Sequence, residues 1–262
     1  KFAPRWKTVL GGRLEQWTAQ AGRTRIPGAS PAVDTDWPAR RENFFSPKAA
    51  LSWQWLPDTV LKAAVGRAVR MPTVSELYGA TSTTNARFIN DPNLRPERSL
   101  TTELGAEKDL GQALLRLTWF AEHTRDALYS QTLFDAAANQ NVTRVQNVGR
   151  IATQGVEAVL NAWDAFTPGL DLTGSVTYAD SVIRENAGFV ATPGDTLGRR
   201  QPNIPRWRAT ATAGYRWTPE WTTTLAARYS GTQYRTLNNS DVNGFTYMGV
   251  SRFLVLDLRV RH

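Results

Sequence analysis

The chain has 262 residues, of which 41% are apolar, and a formal net charge of +8. It is therefore long enough for one large domain or for part of a bigger one. Cysteine is absent, which excludes disulfides and thiolate metal sites, and the two histidines, His123 and His262, lie far apart in the sequence. The sequence has no run of about 18 apolar residues, so it has no transmembrane helix, whereas a barrel strand needs only about 9–11 residues with alternate apolar positions.

Alternation of apolar and polar residues predicts several strands in the first half of the chain. They cover residues 6–21, 46–56 and 61–70, and Pro72 ends the third because proline cannot donate to a β ladder. Alternation resumes at Thr102, so a polar loop of about thirty residues lies between, a length that is uncommon in compact domains unless the loop has a function.

The second half of the chain alternates in the same way. A long polar connection is predicted after its first strand, and another over residues 180–205. The chain has about ten predicted strands, with short turns on one side and long loops on the other, an asymmetry typical of bacterial transmembrane barrels. The strands predicted in this half cover residues 113–121, 156–163, 170–178, 207–217, 221–229 and 253–260.

Two groups of residues around the first long loop carry a resemblance to a known family. The first is GRAVRMPT at 66–73 with ELY at 76–78, and the second is NLRPE at 93–97 with ELG at 103–105. In these residues, and in a later glycine and glutamate that look like a strand start, the chain resembles the C-terminal half of the barrel of TonB-dependent outer-membrane receptors. The matching residues are Gly66, Arg67, Arg70, Pro72, Glu76, Leu77, Tyr78, Asn93, Leu94, Pro96, Glu97, Glu103, Gly105, Gly155 and Glu157.

The resemblance implies an all-β fold, an antiparallel transmembrane β-barrel that is present only in part, in the outer membrane of a Gram-negative bacterium. It implies a receptor that binds a scarce ligand, such as a ferric siderophore, and imports it with energy from the TonB complex. Residues 1–262 would form one barrel domain, and the plug, through which the TonB complex acts, and the final strands are expected to be absent. Expected partners are outer-membrane lipid, lipopolysaccharide and the metal chelate. No nucleic-acid partner, no cofactor and no enzymatic activity are expected.

Aromatic residues at the strand ends support the membrane interpretation. Trp207 begins a predicted strand, Trp217 and Trp221 flank its short turn, and Tyr229 ends the returning strand. The apolar residues between them are mostly small, which suits a lipid-facing surface between two aromatic girdles better than a packed core. Acidic residues instead fall on the polar strand faces, where they could pair with arginines that face the lumen. The acidic residues are Glu103, Glu107, Glu157 and Asp257.

The long loops are the predicted ligand-binding regions. Aromatic and arginine side chains can stack on, and pair with, an anionic metal chelate rich in aromatic rings. The candidates are Tyr78, Arg87, Phe88, Tyr129, Phe134, Arg199, Arg200, Tyr234, Phe245 and Tyr247.

Two alternatives remain open from the sequence. One is a soluble basic β protein that binds polysaccharide or nucleic acid through stacked aromatics, which would place tryptophan and arginine on the same strand face. In the 207–217 and 221–229 strands they fall on opposite faces, which argues against it. The other is a barrel that does not transport, such as a porin or adhesin. No GxSxG, HExxH, P-loop or CxxC motif is present, so no enzyme class is indicated.

Overall fold

A computed structural model describes residues 5–26, 33–83, 86–137, 139–188, 195–240 and 249–262. Those residues form fourteen strands and one short helix, α1 (Val74–Tyr78). In the described ranges, no helix has the length and apolar content to cross a membrane. The strands are β1 (Trp6–Ala19), β2 (Gly22–Ile26), β3 (Val33–Trp37), β4 (Arg40–Leu56), β5 (Thr59–Arg70), β6 (Ala80–Ser82), β7 (Ala86–Ile89), β8 (Glu97–Asp109), β9 (Ala113–Asp135), β10 (Gln140–Ala162), β11 (Leu170–Glu185), β12 (Trp207–Arg216), β13 (Thr222–Ser230) and β14 (Phe253–Arg261).

Ten of the strands form one continuous antiparallel sheet. Its order is β1-β4-β5-β8-β9-β10-β11-β12-β13-β14, so each main strand pairs with the next one along the chain. The short strands β6 and β7 bring this sheet to twelve strands, while β2 and β3 pair only with each other. Within the described residues β1 and β14 are paired on one side only, and the sheet is unclosed. The predicted partial, up-and-down β-barrel is confirmed.

The cross-strand register collects large apolar side chains on one face of the sheet, here called the apolar face. Leu104, Trp119, Val156 and Trp207 stand on it and are between 40% and 52% exposed. Apolar side chains exposed over so many adjacent strands need a non-aqueous environment or a partner. One row across six strands of this face consists of Ala63, Leu104, Trp119, Val156, Tyr178 and Trp207.

The opposite side of the sheet, the polar face, carries charged and hydroxyl side chains because successive strand residues alternate between the faces. Glu107 accepts from Lys62 at 2.9 Å and pairs with Arg116 at 2.9 Å. Further along, the Thr177 hydroxyl donates to the Glu157 carboxylate at 3.1 Å. This matches the predicted placement of acidic residues on polar strand faces, and the pairing predicted for Glu107 with a lumenal arginine is present.

The connection between β9 and β10 differs from the prediction. A long polar loop was expected there, but the two strands stay in register from Ala113 opposite Ala162 up to Asp135 opposite Gln140. Polar residues can remain in strands here because the antiparallel ladder satisfies their backbone groups. As a result Tyr129 lies in β9 and not in a loop. Phe134 also lies in β9, close to the tip of the hairpin.

A second correction concerns Gly155 and Glu157, which were expected at a strand start. They lie well inside β10, which begins fifteen residues earlier, at Gln140. Arg87 and Phe88, predicted in a loop, lie in β7, and β7 pairs in parallel with the outer part of β10. The long connection between β5 and β8 therefore contains its own helix and hairpin and is anchored to a distant strand.

Candidate ligand-binding loops

The helix α1 begins immediately after the proline that ends β5. Thr73 caps it: the hydroxyl accepts from the Glu76 backbone N–H, and the Glu76 carboxylate accepts from the Thr73 N–H at 2.8 Å. This reciprocal arrangement satisfies backbone donors that a helix N-terminus otherwise leaves free. Arg70, the last residue of β5, donates to the same carboxylate at 2.6 Å. The motif residues Arg70, Pro72 and Glu76 thus fix how the loop leaves the sheet.

The pKa of the Glu76 carboxyl lies below its usual value of 4.5. Partial burial raises this pKa, but the hydrogen bonds from the Thr73 N–H, the Arg70 guanidinium and the Thr73 hydroxyl outweigh that effect, helped by the charge of Arg70. The ionised form of Glu76 is therefore the one that holds the helix cap together.

The second motif docks the end of the same loop onto the β9–β10 hairpin. The Leu94 side chain is 3% exposed, and its carbonyl accepts from the Arg40 guanidinium of β4 at 2.6 Å. The Glu97 carboxylate accepts from the Leu128 N–H at 3.0 Å. The Asn147 amide bonds both backbone groups of Arg95, accepting from its N–H and donating to its carbonyl, each at 2.8 Å.

Two small hydrophobic clusters pack the long-loop end of the sheet. The first joins Leu77 of α1 and Leu94 to Val145 of β10, with Trp17 and Tyr78 against them. The second lies between β9, β10, β11 and the segment after β13, and its members are Ala127, Val148, Ile151, Ile183 and Leu237. The connections are therefore held in defined positions, which lowers the entropic cost of ordering these loops when a ligand binds.

The ten candidate ligand-binding residues have different surroundings. Tyr78 packs in the first cluster, and Tyr129 packs against the second while its hydroxyl accepts from the Gln201 amide at 2.7 Å, so both contribute to loop packing. Half-buried positions are occupied by Phe88, Arg200 and Tyr234. Three side chains are exposed at the long-loop end, namely Arg87, Phe134 and Arg199. Two candidates, Phe245 and Tyr247, lie outside the described residues.

Gly155 is the motif glycine with the clearest steric role. A Cβ atom there would come within 2.2 Å of the Tyr178 carbonyl oxygen and 2.4 Å of the Phe120 ring. At Gly105 and Gly66 the nearest neighbours of such an atom would be 3.5 and 3.7 Å away, which is ordinary contact. The sheet therefore needs glycine at 155 so that Phe120 can lie across the strand, whereas a Cβ atom fits at the other two positions.

Aromatic side chains mark two levels on the apolar face. At the long-loop level the rings of Trp207 and Tyr178 are 4.9 Å apart, and at the short-turn level the Trp217 ring packs edge-on against Tyr215 at 4.5 Å. Ten residues from Trp207 to Trp217 span about 34 Å along a strand, or about 26 Å across a membrane for a tilt of about 40°.

The short-turn level contains further aromatic pairs. Trp221 packs against His262 at 4.5 Å, and Trp6 stacks on Trp53 at 4.9 Å. The last pair was not predicted as part of the girdle, although tryptophan near a short turn was the available signal. Tyr229 lies at the other end of β13 as expected.

One charged site was not predicted at all. Asp126 is only 4% exposed, has a left-handed backbone (φ 57°), and pairs with Arg95 at 2.7 Å and Arg98 at 2.5 Å. No local pattern distinguishes Asp126 in the sequence, because its two arginine partners lie 31 and 28 positions away. In the described part of the chain, no group of three histidine, cysteine or acidic residues is arranged to hold a metal ion.

Solved structures with the same fold are named as a copper transporter, a siderophore receptor and a ferric enterobactin receptor. The copper transporter OprC superposes with a TM-score of 0.72 at 19% identity, over 98% of this chain and 37% of its own. The siderophore receptor PiuA from Acinetobacter baumannii superposes with a TM-score of 0.71 at 20% identity, and the match covers 99% of this chain and 34% of PiuA. For a point mutant of the ferric enterobactin receptor PfeA from Pseudomonas aeruginosa the TM-score is 0.62 at 16% identity, and the match covers 97% of this chain and 43% of PfeA.

The chain thus spans between 34% and 43% of the length of these structures. At such identities the superpositions establish the fold, and the sequence itself establishes the family. Residues 1–262 match the family described as TonB dependent receptor-like, beta-barrel, from the first residue to the last. This match argues against the two alternatives that the sequence left open, a soluble basic β protein and a porin or adhesin, because both would belong to other families. The chain therefore belongs to the β-barrel domain family of TonB-dependent receptors.

Proposed function

We propose that this chain is part of the barrel of a Gram-negative outer-membrane receptor that imports a ferric siderophore with energy from the TonB complex. One observation carries the proposal: the described sheet has a continuous apolar face and a polar face, and its long loops pack together at one end. That combination suits a barrel wall in lipid, a polar lumen and a ligand-binding mouth. The plug needed for transport would be supplied from outside residues 1–262.

A chelated metal is favoured over a bare copper ion as the ligand. Copper(I) prefers the soft sulfur ligands of cysteine and methionine. This chain has no cysteine and two methionines, whereas aromatic and arginine side chains are exposed at its long-loop end. Two of the structural relatives are named as siderophore and ferric enterobactin receptors, which agrees with this chemistry.

The test is iron uptake in cells that lack the receptor and are complemented with it. Radioactive iron would be offered as catecholate, hydroxamate and carboxylate chelates, in strains with and without TonB. The proposal predicts that one chelate class enters only when both the receptor and TonB are present. Uptake that does not depend on the receptor, or that persists without TonB, would refute it.

Two exposed phenylalanines at opposite ends of the sheet give a matched test of where the ligand binds. Phe134 is 62% exposed at the long-loop end, and Phe166 is 95% exposed at the short-turn end. Phe134→Ala is expected to weaken chelate binding by about tenfold, the size of an aromatic hot spot, and Phe166→Ala to leave it unchanged. Binding of the iron chelate to purified receptor measures both, and equal effects would place the site elsewhere.

A further inference from the structure

The charge of the polar face differs between two parts of the described sheet. On β8, β9 and β10 this face carries Glu103, Glu122 and Glu157, and no lysine or arginine of the described residues lies within ion-pair distance of them. On β12, β13 and β14 the same face, to which Thr212 belongs, carries arginines instead. The polar face therefore has an acidic part and a basic part.

Four arginines of the basic part lie at successive levels between the long-loop end and the short-turn end. Arg208 is the first, and Arg228 lies diagonally across from it on the next strand, about 7–8 Å away. Arg259 and Arg261 follow on β14, four and six residues beyond the position opposite Arg228. We call these four residues the arginine ladder. It extends over about 27 Å along the strands, or about 21 Å of height for a tilt of about 40°.

The side chains of the arginine ladder are exposed and have no carboxylate partner in the part of the chain that the structure describes. Arg216, on the same face, is by contrast bound to Asp171. Arg208 and Arg228 have described strands on both sides, so the free edge of the sheet does not account for their lack of a partner. Because a guanidinium group stays protonated in proteins, the ladder is a permanent line of positive charge.

One carboxylate divides the arginine ladder into an upper and a lower pair. Asp257 lies on the polar face of β14, two residues before Arg259 and two residues beyond the position opposite Arg228. It is exposed and forms no ion pair within the described ranges. Its negative charge separates two places that attract an anion. A conducting path needs repeated weak binding of this kind, because a single tight site would prevent release.

The charge of the arginine ladder distinguishes between iron chelates. Catecholate and carboxylate chelates of iron(III) are anionic, since their ligands bear more negative charge than the metal neutralises, whereas a trihydroxamate chelate is neutral. A wall of positive charge raises the local concentration of the anionic kinds only. Arg199 is exposed in the connection that leads into β12, so positive charge is also present at the long-loop end, next to Arg208.

We propose that the arginine ladder is the path along which an anionic iron chelate crosses the lumen, from the upper pair to the lower pair. The ladder would make the receptor selective for catecholate or carboxylate chelates over neutral hydroxamates. This inference rests on the proposed function, and it adds the charge of the substrate and the strands along which the substrate passes.

The test compares chelate binding with chelate uptake in cells complemented with the receptor. Binding of the radioactive iron chelate is measured without TonB, and the initial uptake rate is measured with TonB. Arg228→Gln is expected to slow uptake of the anionic chelate by about threefold, and the double variant Arg208→Gln/Arg228→Gln by about tenfold, the lower end of what a charged cleft contributes. Binding without TonB should be unchanged, because the loops and not the ladder hold the chelate at that stage.

Two further variants separate charge from other roles of these side chains. Arg228→Lys keeps the positive charge and should take up the chelate at the wild-type rate, whereas a contact that needs the guanidinium group would still be lost. The matched control is Arg125→Gln, since Arg125 is an exposed arginine of β9 on the opposite side of the sheet and has no carboxylate partner in the described residues. It should leave uptake unchanged. Uptake is expressed per receptor in the outer membrane, so that differences in folding or expression do not enter.

The possible outcomes distinguish this inference from the proposed function. Equal uptake rates in wild type and the double variant would overturn the arginine ladder as a path, as would equal losses in Arg228→Lys and Arg228→Gln. Uptake of the hydroxamate chelate alone would overturn the selection by charge and leave TonB-dependent import standing. A receptor that imports no chelate at all would refute the proposed function and this inference together.

Discussion

At the scale of single residues, the family motifs of this chain combine two different physical requirements. Glu76 and Glu97 hold loops through hydrogen bonds, whereas Gly155 leaves room for a neighbouring ring. Each of these roles depends on one atom or one missing atom, so each can be tested by a small substitution. The glycines at 66 and 105 match the family equally well, but a Cβ atom at either would make only ordinary contacts, which shows that a motif match alone does not reveal a residue's role.

Gly155→Ala should destabilise the sheet. The added Cβ would meet the Tyr178 carbonyl oxygen at 2.2 Å, so the backbone or the Phe120 ring has to move. Overpacking of this kind costs about 1–3 kcal/mol of unfolding free energy. Urea unfolding in detergent, followed by tryptophan fluorescence, measures the change. Gly105→Ala is the control, since its nearest neighbour would be 3.5 Å away; if both variants lost the same stability, the steric explanation would be wrong.

The helix cap at Glu76 should make the α1 loop sensitive to acid. Because the pKa of Glu76 is lowered on folding, its stabilisation is fully present above the unfolded value near 4.5 and is lost as the pH falls through the lower folded value. Hydrogen exchange of the α1 amides, corrected for the intrinsic pH dependence of exchange, should therefore rise between pH 5 and 3. Glu76→Gln should exchange faster at neutral pH and lose this pH dependence; an unchanged profile would contradict the assignment.

At the scale of elements, the main strands were predictable because each lies between an apolar and a polar face of the sheet. Apolar and polar residues therefore alternate along it. The β12 and β13 boundaries differ from the prediction by one residue at most. The outer half of the β9–β10 hairpin was missed because its strands pass beyond the apolar face, so their sequence lacks apolar residues at alternate positions. Likewise α1 is five residues long and relies on its cap and on tertiary packing, so helical periodicity could not reveal it.

The same reasoning explains why the candidate site was only partly predictable. The positions of loops follow from the strands, but the contacts inside them join residues far apart in the sequence, such as Asn147 with Arg95 or Tyr129 with Gln201. Sequence could nominate aromatic and arginine residues, yet only the structure separates Phe134, which faces solvent, from Tyr78, which packs in a cluster.

Asn147→Ala should release the end of the β5–β8 connection from the hairpin. The Asn147 amide makes hydrogen bonds with both backbone groups of Arg95 and donates to the Asp126 carbonyl at 2.7 Å. Leaving such groups without partners costs about 1–3 kcal/mol. Hydrogen exchange of residues 91–97 should therefore accelerate, while the strands below keep their protection.

A control in the same strand is Asn161→Ala, since Asn161 makes no side-chain hydrogen bond within the described ranges and lies at the short-turn end. It should leave exchange of residues 91–97 unchanged. If both asparagine variants gave the same exchange pattern, the loop would be anchored by other contacts than Asn147.

At the scale of the whole molecule, the two faces of the sheet are built for different solvents. Large apolar side chains are exposed on one side, and ion pairs and hydroxyl groups occupy the other. A soluble sheet of this size would bury its apolar side against a second layer. The described residues supply no such layer, and under the proposed function lipid takes its place. The stability of the fold should then depend on which face a charge is placed on.

Adjacent residues near the middle of β12 give a direct test of this dependence. Ala211 belongs to the apolar face, opposite Gly174 and Ala227, and Thr212 belongs to the polar face. In a bilayer, Ala211→Arg is expected to cost about 2–4 kcal/mol of unfolding free energy, as for arginine near the membrane midplane, and Thr212→Arg close to nothing. Urea titration of refolded protein in lipid vesicles, read by the mobility difference between heated and unheated samples, compares the two. Equal losses would mean that the apolar face is not in contact with lipid, and the membrane-spanning interpretation of the sheet would fall with it.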